Sequence, residues 1–200
     1  MYTPKTFAMN ERKMKEFVLE HGFGLLLSQH SGEPWATHLP FLFDDEKGVL
    51  YGHVARANEQ WQEIDGQNVI AVFSGAHSYI SPSWYEMGQS VPTWNYVAVH
   101  VYGTCHVMND SVELAAVLER MVRFYEPNSP VAEESSELYF RRMMQAIVGI
   151  RIDISRMEGS AKLSQNKPVE VRDRVVEQLR KSDDPDAQMV ADWMQQDWNS

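Results

Sequence analysis

The chain has 200 residues, 44% of them hydrophobic, and 18 Lys+Arg against 28 Asp+Glu give a formal net charge of −10. That length suits one domain with a small appendage, and the acidic balance argues against a broad electrostatic grip on DNA, which relies on Lys and Arg neutralising phosphates. No apolar run approaches the ~20 residues of a spanning helix, and "MYTPKTFAMNERK" lacks a signal-peptide core, so the expectation is a cytoplasmic protein with no membrane partner.

In chain order, "ERKMKEFVLEH" (11–21) places Met14, Phe17 and Val18 at helical spacing, and Gly22 stops the helix. "FGLLLSQH" (23–30) and "PWATHLPFLF" (34–43) read as two strands joined by the turn "SGE". "GVLYGHVA" (48–55) is a third strand, "NEQWQEI" (58–64) a short helix and "NVIAVFSG" (68–75) a fourth strand. The segment "SYISPSWYEMGQSVPTWNY" (78–96) packs Tyr79, Trp84, Tyr85, Trp94 and Tyr96 around two prolines and a glycine, too many rings for a plain loop. "YVAVHVYGTCHVM" (96–108) is a long strand. It carries the single Cys105, which excludes an internal disulfide and a cysteine zinc site.

"SVELAAVLERMVRFYE" (111–126) and "SSELYFRRMMQAI" (135–147) read as amphipathic helices, and "GIRIDISRMEG" (149–159) alternates as a strand. Two further helices with apolar stripes follow Pro168: Val171, Val175 and Leu179 on one, and Met189, Val190, Trp193 and Met194 on the other. This order suggests a closed or partly closed antiparallel barrel with added helices. The expected division is a barrel over 1–166 and a helical extension over 167–200.

Three stretches carry candidate chemistry. In "YGHVARANEQW" a strand runs into a helix start, where unpaired N–H groups favour anions. Arg56 can hold a phosphate with two hydrogen bonds there, and Asn58 can cap the helix. The alternative is that Asn58 only caps and Arg56 only meets water. In "GSAKLSQNKP" the polar Lys162, Ser164, Gln165 and Asn166 precede a Pro-initiated helix and suit the polar edge of a heteroaromatic ring, or an ordinary capping loop. In "ATHLPF" alternation puts His38 and Pro40 on one face and Thr37, Leu39 and Phe41 on the other; His38 and His53 are pocket candidates or hydrogen-bonded structure. No metal site is expected. His100 and His106 share a strand face but lie roughly 20 Å apart at ~3.3 Å per residue, and no HExxH, GxSxG, GxGxxG or P-loop motif occurs.

"GHVARANEQW", "SYISPSWY", "VPTWNYVAVHVYG" and "KLSQNK", in that order, together resemble the PaiB-type proteins, FMN-binding split-barrel proteins named as negative transcriptional regulators. The resemblance spans nearly the whole chain, including "MYTPKTF". It implies an α+β, mainly β fold: a six-stranded FMN-binding split barrel like pyridoxamine-phosphate oxidase, with added helices and a C-terminal helical pair. It implies a homodimer holding FMN in a groove to which both subunits contribute, walled in part by the rings of 78–96. By analogy with related split barrels, the flavin phosphate falls to His53, Ala55, Arg56 and Asn58, and Thr37, His38 and Leu39 lend groups to the flavin. Lys162, Ser164, Gln165 and Asn166 come to the ligand because the family motif falls on them; which end of the flavin they meet stays open. Two functions follow: a regulator acting directly or indirectly on transcription, with direct DNA binding disfavoured by the charge, or an FMN-dependent oxidoreductase or flavin/haem-handling enzyme acting on a small molecule. Whether the protein turns over a substrate is open at this point.

Overall fold

The computed structural model describes residues 1–128 and 144–198. After a 3₁₀ turn at Lys5–Phe7, α1 (Glu11–Glu20) leads into β1 (Phe23–His30), β2 (Glu33–Pro40), β3 (Leu42–Asp44) and β4 (Val49–Ala55). A second 3₁₀ turn, Glu59–Gln62, precedes β5 (Asn68–Ile80), and a third, Pro82–Tyr85, precedes β6 (Thr93–Met108). Then come α2 (Ser111–Tyr125), β7 (Ile147–Lys162), α3 (Val169–Arg180) and α4 (Pro185–Trp193).

Among the described residues the sheet has seven strands, in the order β2-β1-β5-β6-β7-β4-β3, rather than the expected six. The extra strand comes from "PWATHLPFLF", expected as one strand, which divides at Phe41. Pro40 brings no N–H to a ladder, so a strand ends there readily. β2 pairs antiparallel with β1 from Phe23↔Pro40 to His30↔Glu33, while β3 pairs with β4 through Leu42↔Tyr51 and Asp44↔Val49. β2 and β3 are therefore the two edges of the sheet, yet one residue joins them. The edges must meet at Phe41, and the sheet curls on itself, the closure by which all-β folds dispose of free edges.

Other boundaries also shift. The expected helix over 58–64 is only the four-residue 3₁₀ turn Glu59–Gln62. β7 runs on to Lys162, past the expected end at Gly159. The helix expected over 135–147 lies largely outside the described residues.

The chain forms two compact units. The inner unit comprises Val18–Phe73 and Val101–Met157, and the terminal unit Met1–Phe17, Ser74–His100 and Glu158–Ser200. The inner unit buries Leu26, Phe41, Leu50, Phe73, Cys105, Ile150 and Ile152, with the Phe41 and Phe73 rings edge to face at 5.4 Å. The apolar face of α2 (Leu114, Val117 and Met121) is buried, and Val117 and Met121 pack with Leu42, Val49 and Tyr51. The terminal unit buries the predicted stripes of the C-terminal helices: Val171, Val175 and Leu179 of α3, and Val190 and Trp193 of α4 with Met194 beyond it; Met189 stays half exposed. Phe17, expected on the apolar face of α1, packs edge to face on Trp193 and Trp198 at 6.0 and 6.4 Å.

Candidate functional site

The candidate residues fall into two groups, one in each unit. In the inner unit β4 pairs with β7 from Val49↔Asp153 to Ala55↔Ile147, and the chain then turns. The Arg56 N–H donates to the Ala146 carbonyl at 2.8 Å, and the Asn58 N–H to that of Ala55 at 2.9 Å. Asn58 caps the 3₁₀ turn, its Oδ1 accepting from the Gln60 N–H at 3.1 Å. Its Nδ2 donates to Thr37 Oγ1 of β2 at 2.8 Å. One side chain thus ties the end of β4 to an edge of the sheet.

A 3₁₀ turn this short has little aligned dipole, so the helix-start part of the anion argument carries little and the charge must come from Arg56. Arg56 is exposed, and its guanidinium is anchored: Nε donates to the Gln145 carbonyl and Nη2 to that of Ile147, both at 2.8 Å. The Trp61 ring lies 5.8 Å from the guanidinium carbon, and its Nε1 donates to the Arg56 carbonyl at 2.9 Å. A guanidinium has five N–H donors; two are engaged in these bonds, which leaves the Nη1 pair and one on Nη2. The anchor fixes the group in place without using up its capacity for an anion.

His53, on β4, has a buried Nδ1 with no partner among the described residues. Burial lowers its pKa below the ordinary imidazole value, because a partly desolvated ring resists charge. Leu39 is buried, and its Cδ1 reaches to within 2.7 Å of where a Cβ on Gly52 would stand, so the Leu39 side chain packs directly over Gly52 of β4. His38 and Ala55 are exposed. The His38 ring stacks at 6.0 Å and 19° on Phe23, itself 63% exposed.

In the terminal unit, Lys162 ends β7 instead of lying in a loop. Its Nζ donates to Thr93 Oγ1 at 2.5 Å. Ser164 is buried, its backbone is left-handed at φ 62°, and its Oγ lies 3.1 Å from Asn95 Nδ2 and 3.2 Å from Asn95 Oδ1. Gln165 grips its own turn, Nε2 donating to the Ala161 carbonyl at 2.6 Å and Oε1 accepting from the Leu163 N–H at 2.7 Å. Asn166 is exposed. Lys167 Nζ sits 4.8 Å over the Tyr85 ring.

Thr93, Asn95 and Tyr85 support this turn, and sequence reasoning did not single them out for that role. A polar residue two positions from another in a strand was the available signal, but nothing in the local pattern says that Asn95 is fully buried. The rings of 78–96 divide. Tyr85 is core, with its carbonyl accepting from Arg174 Nη2 at 2.6 Å. Tyr79 and Trp94 are about half exposed and meet edge to face at 5.9 Å, and His77 lies 5.9 Å from Trp94. Among the described residues no cluster of His, Cys, Asp or Glu is arranged to hold a metal ion.

Residues 1–156 match the family described as "Putative FMN-binding domain". The Bacillus subtilis protein "Protease synthase and sporulation protein PAI 2" is 37% identical over 202 residues, covering 98% of this chain and 97% of its own. Among solved structures, the flavocytochrome Anf3 from Azotobacter vinelandii aligns with TM-score 0.62 at 16% identity, over 76% of this chain and 67% of its own. The FAD and heme binding protein from Mycobacterium smegmatis aligns with TM-score 0.62 at 12% identity, over 82% and 77%. At such identities the two structures speak to the fold, a mainly β split barrel. The end-to-end match to PAI 2 and the family match over residues 1–156 go further: the chain belongs to the PaiB-type FMN-binding family.

Proposed function

We propose that the protein is an FMN-dependent regulator that works indirectly, as a cytoplasmic homodimer, through a small molecule or a partner protein. The observation that carries the FMN site is the anchored, exposed guanidinium of Arg56 beside the Asn58 cap. Its three uncommitted N–H donors suit a phosphate monoester. The unpartnered Nδ1 of His53, on the strand just before that turn, is the kind of buried polar atom that a ligand satisfies. On this reading His53, Ala55, Arg56 and Asn58 hold the phosphate end, Thr37, His38 and Leu39 lie along the flavin, and the 162–166 segment meets it elsewhere. Bound FMN supplies electron-transfer capacity, and the protein tunes it.

Indirect action is supported by the net charge of −10 and by the lack of a basic recognition helix among the described residues. Dimerisation is supported by the half-exposed Tyr79, Met87 and Trp94 and the more exposed Val91, all in the terminal unit. Sedimentation giving a monomer at micromolar concentration with FMN present would refute the dimer.

A second reading, an FMN-dependent oxidoreductase, draws on His38, whose exposed ring is open to a substrate. The visible spectrum of the purified protein with FMN, then with NAD(P)H, separates the readings. Oxidised-flavin bands that follow the protein establish binding, and bleaching by NAD(P)H favours the enzyme. Bands that stay with free FMN overturn the cofactor reading.

A further inference from the structure

We infer that the terminal unit holds a second ligand site: a cleft between α3 and the segment that follows α4, where Arg172 takes the carboxylate of a small molecule. The cleft has a volume of about 290 Å³ and is lined by Gln165, Arg172, Gln195, Gln196, Asp197 and Trp198. That is just under the roughly 300–1,000 Å³ of drug-sized ligand pockets, room for a molecule of metabolite size. All six residues belong to the terminal unit, whereas His53, Arg56 and Asn58 belong to the inner one. The inference therefore goes beyond the flavin reading and does not rest on it.

The walls are fixed before any ligand arrives. Gln165 is tied to its own turn through the Ala161 carbonyl and the Leu163 N–H. Gln195 Oε1 accepts from Arg180 Nη2 at 2.8 Å. Trp198 Nε1 donates to the Trp193 carbonyl at 2.9 Å, and the two indoles meet edge to face at 5.8 Å. Such preorganisation lowers the ordering cost that binding must overcome.

Arg172 supplies the chemistry. Its Nη2 donates to the Met194 carbonyl, which holds the guanidinium at the cleft, while its Nε is buried with no hydrogen-bond partner among the described residues. A buried N–H left without an acceptor costs free energy, and more so on a charged group. An oxygen of an incoming anion removes that cost, and a planar guanidinium can bind both oxygens of a carboxylate at once. Gln195, bonded through its amide oxygen, keeps its N–H donors on the same wall. Asp197 in the lining sets the charge of the ligand. A doubly charged phosphate meets more repulsion from it than a singly charged carboxylate does. An ammonium on the same small molecule, as in an amino acid, turns that repulsion into attraction.

The test follows the Arg172 Nε–H resonance by NMR in the full-length protein, assigned by its loss in Arg172→Lys, as butyrate, butyramide or L-2-aminobutyrate is added. Butyrate and L-2-aminobutyrate should shift it saturably; butyramide, neutral and of nearly the same shape, should not. Arg172→Lys keeps a charged donor for the Met194 carbonyl but lacks the planar fork, so carboxylate affinity by calorimetry should fall about tenfold or more. Gln196→Glu adds a negative charge to the cleft from an exposed position. It should weaken butyrate with the melting temperature of the free protein unchanged, and it keeps the site testable if Arg172→Lys does not fold. A preference for L-2-aminobutyrate that disappears in Asp197→Asn assigns the carboxylate to an amino acid; equal or weaker binding than butyrate assigns it to a simple acid. No saturable shift with either carboxylate, or an equal shift with butyramide, overturns the inference. Displacement of butyrate by FMN also overturns it, because the cleft is then part of the flavin site. Failure of the protein to bind FMN at all sinks the cofactor reading alone, and the carboxylate titration still decides this one.

Discussion

Asn58 Nδ2 donates to Thr37 Oγ1 at 2.8 Å, joining the turn after β4 to the edge strand β2. The same side chain caps the 3₁₀ turn through Gln60. Asn58→Ala removes both bonds and should cost about 1–2 kcal/mol of stability, the range of a lost cap. Asn58→Asp keeps the cap acceptor but gives up the amide donor to Thr37, and it sets a negative charge beside Arg56. It should stay near wild type in stability and lose more FMN affinity than Asn58→Ala. Urea unfolding and FMN titration of the pair check this; equal FMN losses in both would mean that Asn58 acts only through the fold.

Arg56→Ala should weaken FMN far more than riboflavin, because only FMN carries the phosphate. A charge-assisted hydrogen bond is worth roughly 1.5–3 kcal/mol, or about tenfold to over a hundredfold in affinity. The bonds from Arg56 to the Gln145 and Ile147 carbonyls are lost as well, so apo melting should fall modestly. The ratio of the two affinity losses is therefore the measurement that counts. Equal losses for FMN and riboflavin would reduce Arg56 to a brace for the start of β7.

The elements with strong periodicity were legible in the sequence. The stripes of α1, α2, α3 and α4 are buried much as their spacing required, apart from Met189. The break at Phe41 was not, because Pro40 is as compatible with an edge or a bulge as with a strand end, and only pairing partners from opposite edges of the sheet reveal two strands. The turn at 58–64 has the composition of a helix, but its described extent is set by the Asn58 cap and the return to β5. In the candidate site, residue types were readable and directions were not. Ser164 and Asn166 look alike in "KLSQNK", yet one points into the core at Asn95 and the other to solvent. That difference follows from a left-handed backbone at Ser164, which composition does not announce.

Acid should destabilise the protein before its carboxylates titrate. His53 and His100 both have pKa values lowered by burial; at His100 the nearby N-terminal ammonium adds to this and Glu158 opposes it. In the unfolded chain both rings titrate near ~6.5. Between that value and the lower folded values, the unfolded state binds more protons than the native one. Stability is thus complete above pH ~6.5 and is lost as pH falls through the folded values. The urea midpoint should drop between pH 7.5 and 5, and His53→Gln should flatten that slope. An unchanged slope in the variant would remove His53 as a source of the effect.

DNA binding, where it occurs at all, should be weak and strongly salt-dependent. Two copies at −10 each carry a formal −20, so long-range repulsion opposes approach to the duplex. Three of the exposed arginines pair locally: Arg120 with Asp44 at 2.9 Å, Arg123 with Glu119 at 2.6 Å and Arg180 with Asp192 at 3.4 Å. Each such pair must open before its cation can meet a phosphate, which removes part of the gain from counterion release. Screening at 0.15 M salt shortens the reach of both attraction and repulsion to about 8 Å. Only direct base contacts could then sustain tight binding, and those need a helix or ribbon that enters a groove. A promoter titration at 50 and 200 mM salt decides between the modes of regulation. Weak binding that fades at the higher salt, with no preference over random DNA, fits indirect action. Nanomolar binding at both, with a strong preference for the promoter, would make the protein a repressor in its own right.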